Sequence, residues 1–142
     1  MNVAAIISDK GSTVFTISPD ATVGEAAKVL DQKKVGALVV ERQGAVCGVL
    51  SERDITREIA RTGAAALEGA VSAAMTADVV TAGLADTLDE LLGRMTSRRV
   101  RHLPVVVDGA LSGLVSIGDV VKWKIREAED EARAMRDYIS TG

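Results

Sequence analysis

The strongest constraint on this 142-residue chain is a duplication. At a shift of 65 residues, Val14 falls on Val79, Thr16 on Thr81, Thr22 on Thr87 and Glu25 on Glu90. The register holds without a gap through Val35 and Val100, Leu38 and Leu103, Gly44 and Gly109, Ala45 and Ala110, Gly48 and Gly113, Ser51 and Ser116, and Asp54 and Asp119. A repeat of this length is one supersecondary unit copied, and two copies imply a pseudo-symmetric pair rather than an array.

Both copies spell the same order of elements. Thr22-Val-Gly-Glu25 and Thr87-Leu-Asp-Glu90 fit a capping box, in which a hydroxyl and a carboxylate answer free amides at a helix start. Apolar residues then recur at helical spacing: Val23, Ala26, Ala27 and Leu30, and in the second copy Leu88, Leu91, Leu92 and Met95. Lys33 and Lys34, and Arg98 and Arg99, close these helices where positive charge suits the dipole. A β-rich run follows from Val35 and from Val100, then a turn signal at Glu41 to Gly44 or at Asp108-Gly109, then a second strand over 45–50 or 110–115. The expected class is α/β in the broad, α+β sense: strand, helix, hairpin of two strands, helix, twice over. Residues 61–75, rich in Ala and Gly, predict a loop and a short helix ending near Met75. The closing helix, starting at Asp119, sets Val120, Val121, Ile125, Ala128, Ala132, Met135 and Ile139 among many charges. That amphipathic stretch is long enough to pack on a partner subunit.

Composition excludes several functions. With 47% apolar residues the chain is globular, not disordered. Phe15, Trp123 and Tyr138 are the whole aromatic set, too few for a carbohydrate-stacking platform. A formal charge of −3 gives no broad footprint for nucleic acid, so phosphate recognition has to be local. No apolar run approaches the roughly 20 residues of a membrane span, and the first ten residues lack an export signal, so a soluble, cytoplasmic protein without a membrane partner is expected. The single cysteine, Cys47, cannot form an internal disulfide and reads as a small core residue.

The chemistry concentrates in one motif. Each copy ends an apolar strand with serine and places aspartate three residues later, at Ser51 and Asp54 and at Ser116 and Asp119. One reading is a capping box worth about 1 kcal/mol. The other is a ligand site, because a strand's carboxyl end feeding a helix offers free amides to an anion, and an aspartate there can accept both hydroxyls of a ribose. The same residues are able to do both.

With the motif "GVLSERDI" and "GLVSIGDVV", each preceded by "VGALVV" or "VRHLPVV", the chain resembles a tandem pair of cystathionine-β-synthase (CBS) domains, a Bateman module, over about residues 14–128. In layout it is similar to short stand-alone bacterial members. The resemblance implies two β-α-β-β-α units with pseudo-twofold symmetry, residues 1–66 with an N-terminal helical lead and 67–142 with an extended C-terminal helix. It implies clefts for an adenosine compound, AMP, ADP, ATP, NAD(H) or S-adenosylmethionine, with no catalytic cofactor and no metal. On this pattern Asp54 and Asp119 hold the ribose, with Ser51 and Ser116 beside them. Thr16 and Thr81 lie near adenine or ribose, and the strand edges at Val35, Gly36, Ala37 and Leu38 and at Val100 and Leu103 read the base. Arg101 and His102 contact phosphate, whereas their counterparts Gly36 and Ala37 carry no charge. A homodimer is implied, with an effector protein as a further possible partner.

Local physics adds candidates for phosphate. Arg57 and Lys122 follow the aspartates by three residues, in the first helical turn, where a cation opposes the dipole unless an anion is near. Arg53 stands opposite Gly118 of the second copy, and Arg99 adds charge beside Arg101. His102 is the only histidine, no His/Cys cluster offers metal ligands, and no serine has a plausible base, so a non-catalytic sensor is expected. A dimerisation or partner-binding module with degenerate sites, and an enzyme acting on a nucleotide, remain the alternatives.

Overall fold

The repeated capping and turn signals become two similar α+β units in the computed structural model, which describes residues 1–141. The order is α1 (Val3–Lys10), β1 (Thr16–Ile17), α2 (Val23–Lys33), β2 (Ala37–Arg42), β3 (Ala45–Ser51), α3 (Glu52–Thr62), a 3₁₀ segment (Gly63–Glu68) and α4 (Val71–Ala74). The second unit continues with α5 (Leu88–Arg98), β4 (His102–Val107), β5 (Ala110–Ser116) and α6 (Ile117–Thr141). Hydroxyls of Thr22 and Thr87 accept the amides of Glu25 and Glu90 at 3.1 and 3.2 Å and start α2 and α5. Only this half of the expected box forms; Glu90 turns instead toward Arg94. Lys34 and Arg99 close the same helices in the left-handed region. Positive φ at Gln43-Gly44 and at Asp108-Gly109 gives the hairpin turns the twist their strands need.

The sheets differ in size. β1 runs parallel to β2, and β2 pairs antiparallel with β3. In the second unit β4 and β5 pair alone, and the expected opening strand shrinks to a single bridge between Ala82 and Val105. Both hairpins slip register at the same place, after Val40 and after Val105, leaving Cys47 and Ser112 as the extra residues. Cys47 is half-buried at the rim of the first core.

Packing does not follow chain order. The first core joins Val23, Leu30, Leu38, Leu50 and Ile55 to Val71 and Ala74 of α4. The second joins Leu88, Leu91, Leu103, Val105 and Val115 to Val3 and Ile6 of α1, both fully buried. Hence the N-terminal helix covers the second unit, and the segment between the units covers the first. Backbone bonds tie both down, from Val3 and Ala4 to the carbonyls of Asp86 and Leu84, and from Val71 and Ser72 to those of Ala21 and Pro19. No helix among the described residues is long and apolar enough to cross a membrane.

Candidate ligand-binding cleft

The first Ser-x-x-Asp motif sits where β3 hands over to α3. Asp54 donates its amide to Ser51 Oγ at 3.3 Å, and its Oδ2 accepts the Ser51 amide at 2.8 Å and the Ser51 hydroxyl at 3.1 Å. Its Oδ1 accepts Thr76 Oγ1 at 3.3 Å and also the Arg57 guanidinium. Asp54 is the one buried charged residue among those described, at 4% exposure, and four donors satisfy it. Thr76 reaches it because the chain after α4 bridges to Val49, amide to carbonyl in both directions, at 2.9 and 3.0 Å.

The second motif forms the same box with different surroundings. Asp119 Oδ2 accepts the Ser116 amide at 2.9 Å, and the Asp119 amide donates to Ser116 Oγ at 3.2 Å. Here the extra donor is Lys10, whose Nζ lies 2.6 Å from Asp119 Oδ2 and 2.9 Å from the Leu114 carbonyl. Burial pushes the Asp119 carboxyl up, but the Lys10 ammonium and the Ser116 amide outweigh it and hold the group below its usual range. Ile7 of α1 packs on Gly113 beside this ion pair. The N-terminal helix thus occupies the ground over the second motif.

A cleft of about 960 Å³ opens beside the first motif and between the units. One wall carries Gly36, Ser51, Arg53, Asp54 and Arg57; the other carries Arg98, Arg99, Val100, Arg101 and His102; Thr76, Asp78, Val79 and Val80 line it from the connecting segment, and Ser116 and Gly118 reach its edge. Arg57 is paired with Asp54 and Arg98 with Asp78. Arg53, Arg99 and Arg101 have no carboxylate partner among the described residues, against one unpaired carboxylate of the lining, Glu52, so the cleft keeps a net positive charge. Burial lowers the pKa of His102, and the nearby Lys10 lowers it further against Asp119 and Glu52. The imidazole is therefore mainly neutral at pH 7, with one donor and one acceptor nitrogen.

Ten of the residues singled out from the sequence meet in this cleft: Gly36, Ser51, Arg53, Asp54, Arg57, Arg99, Val100, Arg101, His102 and Ser116. Asp119 and Lys122 do not line it; Lys122 lies 3.7 Å from Asp9. The anions that the helix-dipole argument required beside Arg57 and Lys122 are thus the chain's own Asp54 and Asp9. Thr16 and Thr81 are exposed and are not in the lining of this cleft, which Val79 and Val80 reach just before Thr81. Ala37, Leu38 and Leu103 are buried strand residues, and Val35 lines a smaller depression of about 470 Å³ with Gly36 and Glu52. Thr76, Asp78 and Arg98 were not legible as site residues. Thr76 and Asp78 precede the repeated stretch, and Arg98 read only as a helix-closing charge. No group of His, Cys, Asp and Glu among the described residues could hold a metal ion.

Comparison with known proteins places this architecture. The family model of the CBS domain matches twice, over residues 5–61 and 71–126. A mitochondrial CBS domain-containing protein of Arabidopsis thaliana is 36% identical over 140 residues, covering 95% of this chain and 68% of its own. The crystal structure of a CBS-domain containing protein from Agrobacterium tumefaciens superposes with a TM-score of 0.83 at 45% identity, over 85% of this chain and 91% of that one. A CBS domain protein from Pyrobaculum aerophilum, complexed with AMP, superposes with a TM-score of 0.73 at 25% identity, over 84% of this chain and 89% of its own.

Proposed function

Because this chain belongs to the CBS-domain family and carries two copies of the domain, we propose that it is a non-catalytic regulatory module whose wide cleft binds one anionic adenine nucleotide. The observation that carries this reading is the pairing, in one cleft, of a buried carboxylate with three arginines that no carboxylate answers. A ribose needs an acceptor pair, which Asp54 supplies, and a phosphate chain needs cations, which Arg53, Arg99 and Arg101 supply through paired donors. The strand ends at Gly36 and Val100 flank the adenine, and His102 adds a donor to phosphate. The same charge excess disfavours S-adenosylmethionine, whose sulfonium is positive.

Binding couples to the connection between the units. Both oxygens of Asp54 are occupied, so a ribose displaces Thr76, Arg57 or both from Oδ1. Thr76 belongs to the segment that joins the repeats, and Asp78 of that segment pairs with Arg98 at the end of α5. Nucleotide binding therefore draws on contacts that set the two units against each other, and a signal follows to the extent that affinity differs between the two arrangements.

A thermal-shift panel of AMP, ADP, ATP, NAD, NADH and S-adenosylmethionine tests the reading. Stabilisation by the phosphorylated compounds, with little from the sulfonium compound, is the expected result. Stabilisation by none would leave a scaffold with empty sites, and slow loss of the bound nucleotide would indicate an enzyme. Asp119→Ala is expected to leave nucleotide affinity within about twofold, since Lys10 already engages that carboxylate and the cleft lies beside Asp54; calorimetry on the variant measures this.

His102 gives a second readout. Its free-state midpoint by NMR is expected below the ordinary 6.5 and to rise when phosphate faces the ring. Nucleotide affinity then increases as the pH falls from 8 to 6, because the complex takes up a proton. The unliganded fold behaves oppositely. With the folded pKa below the unfolded one, the unfolded chain binds more protons, so the His102 contribution to stability is full above 6.5 and declines as the pH falls toward its lowered folded value.

A further inference from the structure

The last helix leaves a stripe of apolar side chains uncovered. Val121, Ile125, Met135 and Ile139 are 47%, 53%, 61% and 69% exposed, and Ala128 and Ala132 between them are exposed too. Their spacing alternates four and three residues from Val121 to Ile139, the heptad seam of a coiled coil. In that register Ile125, Ala132 and Ile139 take position a, while Val121, Ala128 and Met135 take position d. Ile125 and Ile139 at a, with Met135 rather than isoleucine at the adjoining d, suit two strands better than three.

The flanking charges choose the occupant and its direction. Positions e carry Lys122, Glu129 and Arg136; positions g carry Lys124, Glu131 and Tyr138. In a parallel pair each g residue faces the e residue five places on, which sets Glu131 against the partner's Arg136, and Lys124, whose ammonium lies 3.0 Å from Asp89 of its own chain, against the partner's Glu129. Both pairs attract. An antiparallel pair would set Glu129 and Glu131 each against its own copy and Lys122 against the partner's Arg136, three repulsions. The complementarity is that of the sequence with itself in parallel.

Space permits this pairing. α6 packs on the second core through Ile117, Val120 and Trp123. At about 100° per residue the seam is turned roughly a quarter of a circle from that face, so a twofold axis along the helices puts the two bodies on opposite sides. Residues 128–141 are all exposed, and a helix of that length is marginal in water without cover.

We propose that α6 is one strand of a parallel, two-stranded coiled coil with a second copy of this chain, with its seam running from Val121 to Ile139. The inference stands apart from the nucleotide reading. Sedimentation equilibrium of the full chain is expected to show a dimer. Met135→Asp with Ile139→Asp, both at exposed positions, is expected to weaken it at least about 30-fold, with the melting of the two-unit body unchanged and at most the helical signal of residues 128–141 reduced. Glu131→Arg should weaken the dimer, and adding Arg136→Glu should restore it. With Cys47→Ala, an Ile139→Cys chain should form a disulfide with its own copy on oxidation, and mixing Ile139→Cys with Val121→Cys chains should give only the two self-linked products. A monomeric wild type, a dimer indifferent to the aspartates, no rescue by the double charge exchange, or cross-links only between positions 121 and 139 would each overturn it.

Discussion

Replacing Asp54 with alanine is expected to weaken binding of AMP or ATP by about 100-fold or more. Hydrogen bonds to a charged group are worth about 1.5–3 kcal/mol each, and a ribose would make two of them with this carboxylate. The substitution also removes the acceptor for the Ser51 amide and hydroxyl, Thr76 Oγ1 and Arg57. Loss of the reciprocal half of the capping box and the orphaned donors make about 2–3 kcal/mol of destabilisation, read from urea unfolding. Asp54→Asn separates the two effects. It keeps a carbonyl for the cap and much of the stability, yet loses the charge and with it most of the affinity. Wild-type affinity in both variants would place the nucleotide elsewhere.

The glycines that precede the two motifs should differ sharply, although they occupy equivalent places in the repeat. A methyl group on Gly48 would stand 2.7 Å from the carbonyl oxygen of Thr76 and 2.7 Å from Met75 Sδ. The carbonyl is backbone, fixed by the Val49 amide at 3.0 Å, so Gly48→Ala has to push the connecting segment off β3. On Gly113 the methyl would meet Ile7 Cδ1 at 2.6 Å, the far end of a side chain that can turn away. Overpacking against a rigid neighbour costs about 2–3 kcal/mol, and against a movable one under about 1 kcal/mol. Thermal unfolding of both variants measures the order; equal losses, or a greater loss at Gly113, would show that the connecting segment is not held as described.

Much of the fold was legible because its signals are local. The threonine caps, the Gly44 and Gly109 turns and the β-rich runs each announce their element within a few residues, and duplication announces it twice. The uncharged Gly36-Ala37 opposite Arg101-His102 already marked the two sites as unequal, but neither the crossing of the two covering helices nor the engagement of the second motif by α1 was visible. α1 and α4 lie outside the aligned stretch, and their cores are chosen by which apolar face lacks cover. The pairing of Lys10 with Asp119 spans most of the chain, so two Ser-x-x-Asp motifs that read alike end with different neighbours. The cleft was half legible for the same reason. Ser51, Asp54, Arg101 and His102 stand in the repeat, while Thr76 and Asp78 enter through the segment that joins its copies.

Calorimetric titration of AMP and ATP into the wild-type chain is the decisive experiment for the nucleotide site, because it counts sites as well as detecting them. Saturable heat with one nucleotide per chain, provided by the cleft beside Asp54, is the expected result. Two equivalent sites per chain would contradict the closure of the second motif by Lys10, and no heat at several temperatures with no thermal stabilisation would contradict the nucleotide site itself.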